Sequence, residues 1–188
     1  MSAISIIETL ITPEEYLAGE TDGKVRHEYI AGRVYAMAGS TENHNYIAGN
    51  FFAETYAHLR GKKCAPFMND MKVRIREASG QFFYYPDVMV NCDPAGQHRY
   101  FCDTPALIVE VLSHTTETID RREKLIAYQA IASLHTYILA EQEKREVTMY
   151  RRLAQGWEKT ILTGADTLRV PEMEFSITLD AIYARTGL

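Results

Sequence analysis

The sequence contains no long run of apolar residues. A helix that crosses a bilayer needs about 20 predominantly apolar residues in succession, and no stretch of the chain approaches that length. The N-terminal segment MSAISIIETLITPEEYL also carries glutamates early and lacks the basic residues with which a secretory signal begins. We therefore expect a soluble, cytoplasmic protein that does not associate with a membrane.

Cysteine is also scarce. The three cysteines, Cys64, Cys92 and Cys102, are odd in number and do not suggest a disulfide framework. We accordingly predict reduced thiols in a reducing compartment. Cys92, His98 and Cys102 could share a zinc ion, but no fourth ligand is evident, so a zinc site is the less favoured interpretation.

Positive charge is not in excess. With 20 basic and 25 acidic residues the net charge is −5, which argues against a strongly basic protein that coats nucleic acid. It does not exclude an enzyme that acts on nucleic acid, because such an enzyme needs only a local basic surface. Lys72 and Arg74 alternate with apolar residues along a predicted strand and are our candidates for binding a nucleic-acid substrate. The alternative is the solvated face of an edge strand, which commonly carries such residues.

The 188 residues, 46% of them hydrophobic, are enough for a sizeable core, and we predict a single domain over residues 1–188. The pattern indicates an α+β fold with one mixed central β-sheet flanked by helices. Thr12, Pro13 and Glu15 are typical of a helix start, and Ala31-Gly32 is typical of a hairpin turn. Predicted helices cover residues 12–17, 42–60, 119–130 and 178–185. Predicted strands cover residues 25–30, 33–37, 64–69, 71–77, 83–91, 107–112, 136–140, 146–152 and 157–162, with a long loop at 92–105.

Two acidic residues occur where strands are normally apolar. Asp87 lies in FYYPDVMVN and Glu110 in PALIVEVLS. A carboxylate that is buried without a partner is costly, so each needs something cationic beside it. Because side chains alternate across a strand, two adjacent strands can bring both carboxylates to one side of a sheet. Oxygen ligands suit Mg²⁺ or Mn²⁺ better than zinc, so we predict that Asp87 and Glu110 hold such an ion.

A lysine follows the second acid on a predicted helix. Asp120, Lys124 and Tyr128 recur every four residues and therefore share one helix face. A lysine ammonium beside a metal ion can orient water or neutralise charge on a phosphate oxygen. Each residue alone has a simpler explanation: Asp87 as a turn residue, Glu110 as an arginine partner or a strand-end carboxylate reaching solvent, and Lys124 as a solvated lysine. Only the combination favours phosphodiester hydrolysis.

Several segments together resemble one known family. They are Pro86-Asp87, the segment IVEVLS at 108–113, the series Asp120, Lys124 and Tyr128, and the segments HEYIAGRVYAM at 27–37 and DMKVRI at 70–75. In these segments the chain resembles the Uma-type family of putative restriction endonucleases, within the PD-(D/E)XK nuclease superfamily, from about residue 12 to about residue 152. The resemblance implies a restriction-endonuclease-like fold and a metal-dependent nuclease with Asp87 and Glu110 as metal ligands.

One position departs from the superfamily pattern. That pattern has a lysine two residues after the second acid, where this chain has Leu112. The resemblance to the Uma-type group implies that the lysine role has moved to Lys124, whose long side chain can reach from a helix to a strand end. It also implies that the carbonyl of Val111 is a further metal ligand.

Three more residues are candidates for the site. The resemblance places a glutamate at Glu28, which would be an extra ligand or a base for water; an ion pair with Arg33 is the alternative. His44 lies in the first turn of the long helix, where it would contact phosphate or substrate, or simply cap the helix. Tyr128 is expected to pack and to donate a hydrogen bond to Glu110 or to Asp120.

The sequence thus predicts a DNA endonuclease that depends on Mg²⁺ or Mn²⁺, with Asp87, Glu110, Lys124 and Glu28 as its catalytic residues. Because cutting both strands of a duplex usually takes two active sites, we expect a homodimer. The departure at Leu112 leaves open a nuclease-fold protein that binds DNA or a protein partner without cutting. A metallohydrolase that acts on small phosphate esters is the third alternative.

Overall fold

The computed structural model describes residues 10–37, 39–113 and 119–188, without the side chains of Asp22, Ile119 and Asp120. Its helices are α1 (Pro13–Asp22), α2 (Glu42–Leu59), α3 (Leu125–Gln129) and α4 (Leu179–Ile182). Its strands are β1 (His27–Ile30), β2 (Arg33–Ala36), β3 (Ala65–Met68), β4 (Lys72–Glu77), β5 (Gly80–Tyr84), β6 (Val88–Asn91), β7 (Phe101–Cys102), β8 (Pro105–Leu112), β9 (Thr136–Glu141), β10 (Glu146–Leu153), β11 (Gly156–Thr163), β12 (Thr167–Val170) and β13 (Phe175–Thr178). A π-helical turn, Ile119–Lys124, precedes α3.

The strands in the described part of the chain form two large sheets and a hairpin. The six-stranded sheet has the order β11-β10-β9-β8-β6-β3, and it is mixed because β8 and β9 run parallel while their neighbours run antiparallel. The predicted α+β fold with a mixed central sheet is therefore confirmed. The predicted single sheet omits a five-stranded sheet, β2-β1-β5-β4-β7, and the β12–β13 hairpin.

The two larger clusters of the core lie one on each face of the six-stranded sheet. One face packs against α2, α4 and the β12–β13 hairpin, with Phe51 and Val109 among the buried residues. The other face packs against the five-stranded sheet and α3, where Ile75, Ile108 and Tyr128 are in one cluster. All residues of β8 are buried because both faces of this strand are covered. Any charged side chain on β8 therefore lies in an enclosed layer.

Local sequence signals account for α1 and the first hairpin. Thr12 Oγ1 accepts a hydrogen bond from the Glu15 N–H, and the Glu15 carboxylate accepts one from the Thr12 N–H, which confirms the helix start. The helix then continues to Asp22, beyond the predicted residue 17. In the turn between β1 and β2, φ is positive at both Ala31 (47°) and Gly32 (98°), as a type I′ hairpin turn requires.

Two predicted elements are wrong in detail. The predicted strand at 83–91 is two strands of different sheets, since β5 ends at Tyr84 and β6 begins at Val88. Pro86 lies at the break, and a proline has no N–H to donate to a ladder. The predicted loop at 92–105 contains β7, and the hairpin strands β12 and β13 precede the C-terminal helix.

The prediction of reduced cysteines is wrong for Cys64 and Cys92, which form a disulfide. Cys102 is buried with a free thiol, and burial raises its pKa to about 11. In the β3–β6 ladder Ala65 lies opposite Asn91. Continuing this register by one residue places Cys64 opposite Cys92, where their side chains are close enough to bond. The zinc alternative thereby loses Cys92 as a ligand. None of the described helices is long and apolar enough to cross a membrane.

Removing this disulfide is expected to destabilise the fold. A crosslink between residues 28 positions apart restricts the unfolded chain, and this restriction contributes roughly 3.5 kcal/mol to stability in the chain-entropy account. Dithiothreitol should therefore lower the urea midpoint of the wild type, but not that of the Cys64→Ser/Cys92→Ser variant. An unchanged wild-type midpoint under reducing conditions would contradict the prediction.

Candidate active site

Asp87 lies at the break that precedes β6, beside the end of β8. In the β6–β8 ladder Val88 lies opposite Val109. Continuing this antiparallel register by one residue places Asp87 opposite Glu110. Oδ2 of Asp87 accepts a hydrogen bond of 2.7 Å from the backbone N–H of Val111. The structure therefore brings the two predicted acids to neighbouring positions.

Glu110 lies in the layer between the two large sheets, with 4% of its surface exposed. Its Oε1 accepts hydrogen bonds from Lys124 Nζ at 3.2 Å and from the Tyr128 hydroxyl at 2.8 Å. Glu28 approaches the same lysine from β1, with Oε1 2.9 Å from Nζ. Among the described contacts Glu28 thus pairs with Lys124 and not with Arg33. We call Glu28, Glu110, Lys124 and Tyr128 the Glu110–Lys124 cluster.

The ammonium of Lys124 balances two carboxylates in this cluster. Its Nζ also lies 5.5 Å from the centre of the Tyr84 ring, which adds a cation–π contact. Burial, followed by the negative charge of Glu110, raises the pKa of Tyr128 well above its ordinary value. The phenol therefore stays protonated and donates to Glu110, as predicted. These contacts supply the partners that a buried charge requires.

A π-helical turn positions Lys124. The predicted regular helix begins instead as the turn Ile119–Lys124, a conformation that is frequent at functional sites. Arg121 of this turn forms an ion pair with Glu141 at the end of β9, which ties the turn to the central sheet. Nothing in the sequence pattern distinguished this turn from an α-helix. The side chain of Asp120, predicted on the same face, lies outside the described residues.

His44 faces Asp87 from the first turn of α2, with its Nε2 3.3 Å from Oδ2 of Asp87. The helix is capped by the Thr41 hydroxyl, which accepts from the His44 N–H, so the imidazole is not the cap. The Thr41 hydroxyl also bonds the amide of Gln142, a buried residue just after β9. Gln142 has no signal in the sequence pattern, because this contact joins residues 101 positions apart.

Leu112 occupies the position at which the superfamily pattern has lysine. It is buried in the core between the two large sheets, in one cluster with Ile108 and Tyr137. A cation beside Glu110 is instead supplied by Lys124, from outside β8. The structure thus places a lysine next to the second acid despite the departure.

The two residues of β4 predicted to bind substrate lie elsewhere. β7 pairs with Lys72 and Val73 of β4, and Lys72 is buried, so the solvated edge-strand alternative is wrong for this residue. Arg74 makes a bidentate pair with Asp103, with contacts of 2.7 and 2.5 Å. Lys72 is 5% exposed and lies against the ring of Tyr85. Both alternate with the core residue Val73, which places them on the outer face of the five-stranded sheet. Their part in substrate binding stays a prediction.

The residues present fit a Mg²⁺ site that water and substrate would complete. Within the described part of the chain, no three His, Cys, Asp or Glu side chains are grouped so as to hold an ion by themselves. Mg²⁺ needs fewer protein ligands, because it keeps several waters and commonly binds through one or two carboxylates plus phosphate oxygens. Asp87 and Glu110 are the two candidate carboxylates. The N–H and C=O of a strand residue point the same way, so the Val111 carbonyl is expected at this edge.

Comparisons with known proteins identify the family of the chain. The model of the Uma2 family, described as "Putative restriction endonuclease", matches residues 13–181. The uncharacterized protein slr1290 of Synechocystis sp. is 34% identical over 175 residues, which are 92% of this chain and 91% of that protein. The uncharacterized protein sll1609 of the same organism is 29% identical over 171 residues, with coverages of 89% and 93%.

A solved structure shares the fold. It is the crystal structure of "a putative nuclease belonging to DUF820" from Anabaena variabilis, with a TM-score of 0.73. The match covers 94% of this chain and 99% of the other at 15% identity, and at that identity it supports the fold alone. The family model, in contrast, spans most of the sequence, and slr1290 is similar along nearly its whole length. The chain therefore belongs to the Uma2 family of putative restriction endonucleases.

Proposed function

We propose that the chain is a Mg²⁺-dependent endonuclease that hydrolyses phosphodiester bonds of DNA. The observation that carries this proposal is the position of Asp87 beside β8, where it accepts from the N–H of Val111, the residue after Glu110, together with the Lys124 ammonium 3.2 Å from Glu110. Mn²⁺ should replace Mg²⁺, because both ions accept the same oxygen ligands. Membership of a family described as restriction endonucleases supports DNA as the substrate.

Asp87, Glu110 and the Val111 carbonyl are the proposed ligands. The ion, when bound, supplies Lewis-acid stabilisation of negative charge on the phosphate. The Val111 N–H and the His44 imidazole hold the Asp87 carboxylate in one orientation before substrate arrives. His44 is also our candidate for a contact with the substrate phosphate.

Lys124 and Glu28 are the residues proposed to neutralise charge on the phosphate and to act as the base for water, respectively. The ammonium of Lys124 holds both carboxylates of its cluster and can neutralise charge that develops on a phosphate oxygen. Glu28 is the proposed base for water. Its side chain is 15% exposed, against 5% for Glu110, so water has better access to it.

Plasmid cleavage tests the proposal. Wild type should nick and linearise supercoiled DNA with Mg²⁺ or Mn²⁺ but not with EDTA. Glu110→Gln should lose this activity, because a neutral amide is a poor ligand for a hard cation. Equal cutting by both proteins would show a contaminating nuclease and contradict the assignment.

A nuclease-fold protein that binds DNA or a protein without cutting is the second candidate. Lys124 favours it, because its ammonium lies between two carboxylates and competes with any cation for their oxygens. Calorimetry separates the two candidates. DNA binding by a wild type that takes up no Mg²⁺ would favour the binding protein.

We further infer that the enzyme is a homodimer, because cutting both strands of a duplex at one place usually takes two active sites. Light scattering on the preparation used for plasmid cleavage would measure the mass. A monomer that linearises DNA in a single binding event would contradict this inference. The cytoplasmic location stays a prediction.

A further inference from the structure

A second group of charged residues lines a cavity on the outer face of the five-stranded sheet. The cavity has a volume of about 220 Å³, and its walls include Leu17, Glu20, Arg26, Asp70, Lys72 and Tyr85. It lies between the C-terminal part of α1 and the start of β4. The Glu110–Lys124 cluster lies on the opposite face of the same sheet, because Lys72 alternates with the core residue Val73.

Among the side chains that the structure describes, Lys72 is the charged group of this cavity that has neither an ion pair nor a hydrogen bond. The residue is 5% exposed, and its described contact is the ring of Tyr85, whose centre lies 4.9 Å from Nζ. Burial lowers the pKa of Lys72, and the more distant charges of Glu20 and Asp70 offset only part of this effect. A buried ammonium without a hydrogen-bonded anion is costly, and a ligand that supplies one would remove the cost.

The acids that line the cavity are engaged with other groups. Glu20 accepts hydrogen bonds from the Tyr85 hydroxyl at 2.7 Å and from His27 Nδ1 at 2.9 Å. Burial alone would raise the pKa of Glu20, but these hydrogen bonds lower it, so the group stays ionised. Asp70 forms an ion pair with Arg26. The charged group of the cavity that is left without a hydrogen-bonded partner among the described side chains is therefore Lys72.

We propose that this cavity binds a compact ligand that carries one carboxylate, with the Lys72 ammonium as its counter-charge. A single negative charge matches Lys72, whereas a doubly charged phosphate would also be repelled by Glu20 and Asp70. Leu17 and the rings of Tyr85 and Tyr100 offer apolar surface to a flat ligand body. The volume is below the range of about 300–1,000 Å³ for drug-sized ligands, which limits the ligand to a small molecule. The proposal does not rest on nuclease activity.

Calorimetric titration of the full chain with benzoate tests the proposal. Lys72→Met removes the charge and keeps the length of the side chain. Lys144→Met is the matched control, because Lys144 pairs with Glu146 on the surface and its side chain is 57% exposed. We expect benzoate to bind the wild type and the control equally, and Lys72→Met at least roughly tenfold more weakly. Benzoate should raise the melting temperature of the first two proteins only.

Inorganic phosphate and a dinucleotide with hydroxyl ends distinguish other anions from a carboxylate. Both should bind the wild type more weakly than benzoate does. Tighter binding of either would overturn the carboxylate assignment, and for the dinucleotide would favour a nucleic-acid contact at Lys72. Equal affinity of wild type and Lys72→Met for benzoate, or no binding at millimolar concentration, would overturn the site itself. So would failure of Lys72→Met to fold, because removing a charge that lacks a counter-charge should not destabilise the chain.

Discussion

Replacing Asp87 with asparagine is expected to lower the rate of DNA cleavage by roughly 100- to 1,000-fold, the usual loss when one preorganised polar group leaves an active site. Asparagine keeps the size of the side chain and an oxygen that accepts from the Val111 N–H. The fold should therefore persist, while the negative charge that binds a hard cation is lost. Initial rates of plasmid nicking over a range of Mg²⁺ concentrations measure the effect, and a higher Mg²⁺ concentration should recover part of the rate.

Two further variants show whether the loss belongs to the site. Asp180→Asn makes the same chemical change at an exposed carboxylate paired with Arg145, and it should leave the rate unchanged. His44→Gln should cost less than Asp87→Asn, about 10- to 100-fold, because a group that orients a ligand acts through that ligand. If Asp87→Asn cuts as fast as Asp180→Asn, Asp87 is not a ligand of the catalytic ion.

The elements that depend on short-range signals are the ones the sequence predicts. Thr12 and Glu15 cap α1 through hydrogen bonds three residues apart, and Ala31-Gly32 has the backbone of a tight turn. Strands β9 to β11 are neighbours in the sequence and in the sheet, so their alternation suffices. The break at Pro86 separates β5 from β6, which belong to different sheets. The other strands of these sheets come from distant parts of the sequence, so alternation along residues 83–91 does not reveal the break.

The residues of the candidate site also differ in whether a short-range signal in the sequence reveals them. A glutamate within an apolar strand must have a partner, which makes Glu110 conspicuous in the sequence, and Lys124 follows from charge and reach. The contact of His44 with Asp87 depends on how α2 lies across the end of β9, for which the sequence has no local signal. The burial of Lys72 has no local signal either, because alternation indicates the face on which a side chain lies but not which element covers that face.

The second large effect concerns stability rather than activity. Lys124→Met removes the ammonium that lies between Glu28 and Glu110 and leaves a 4% exposed carboxylate without its cation. Breaking a buried ion pair in this way costs about 3–5 kcal/mol, because the remaining charge stays buried. Urea unfolding without DNA or divalent ions measures the loss. The Glu110→Gln/Lys124→Met variant should recover most of it, since a neutral amide is much less costly to bury than a carboxylate.

Lys144→Met is the control for this loss of stability. Its ion pair with Glu146 is on the surface, where such pairs are worth about 1 kcal/mol or less. A loss in Lys124→Met no larger than that of the control would mean that the ammonium does not balance buried carboxylates. A double variant as unstable as Lys124→Met would mean that the lysine acts through packing. Either result would remove the preorganised cation on which the proposed chemistry depends, because a lysine that is not held beside Glu110 cannot be in place when the phosphate arrives.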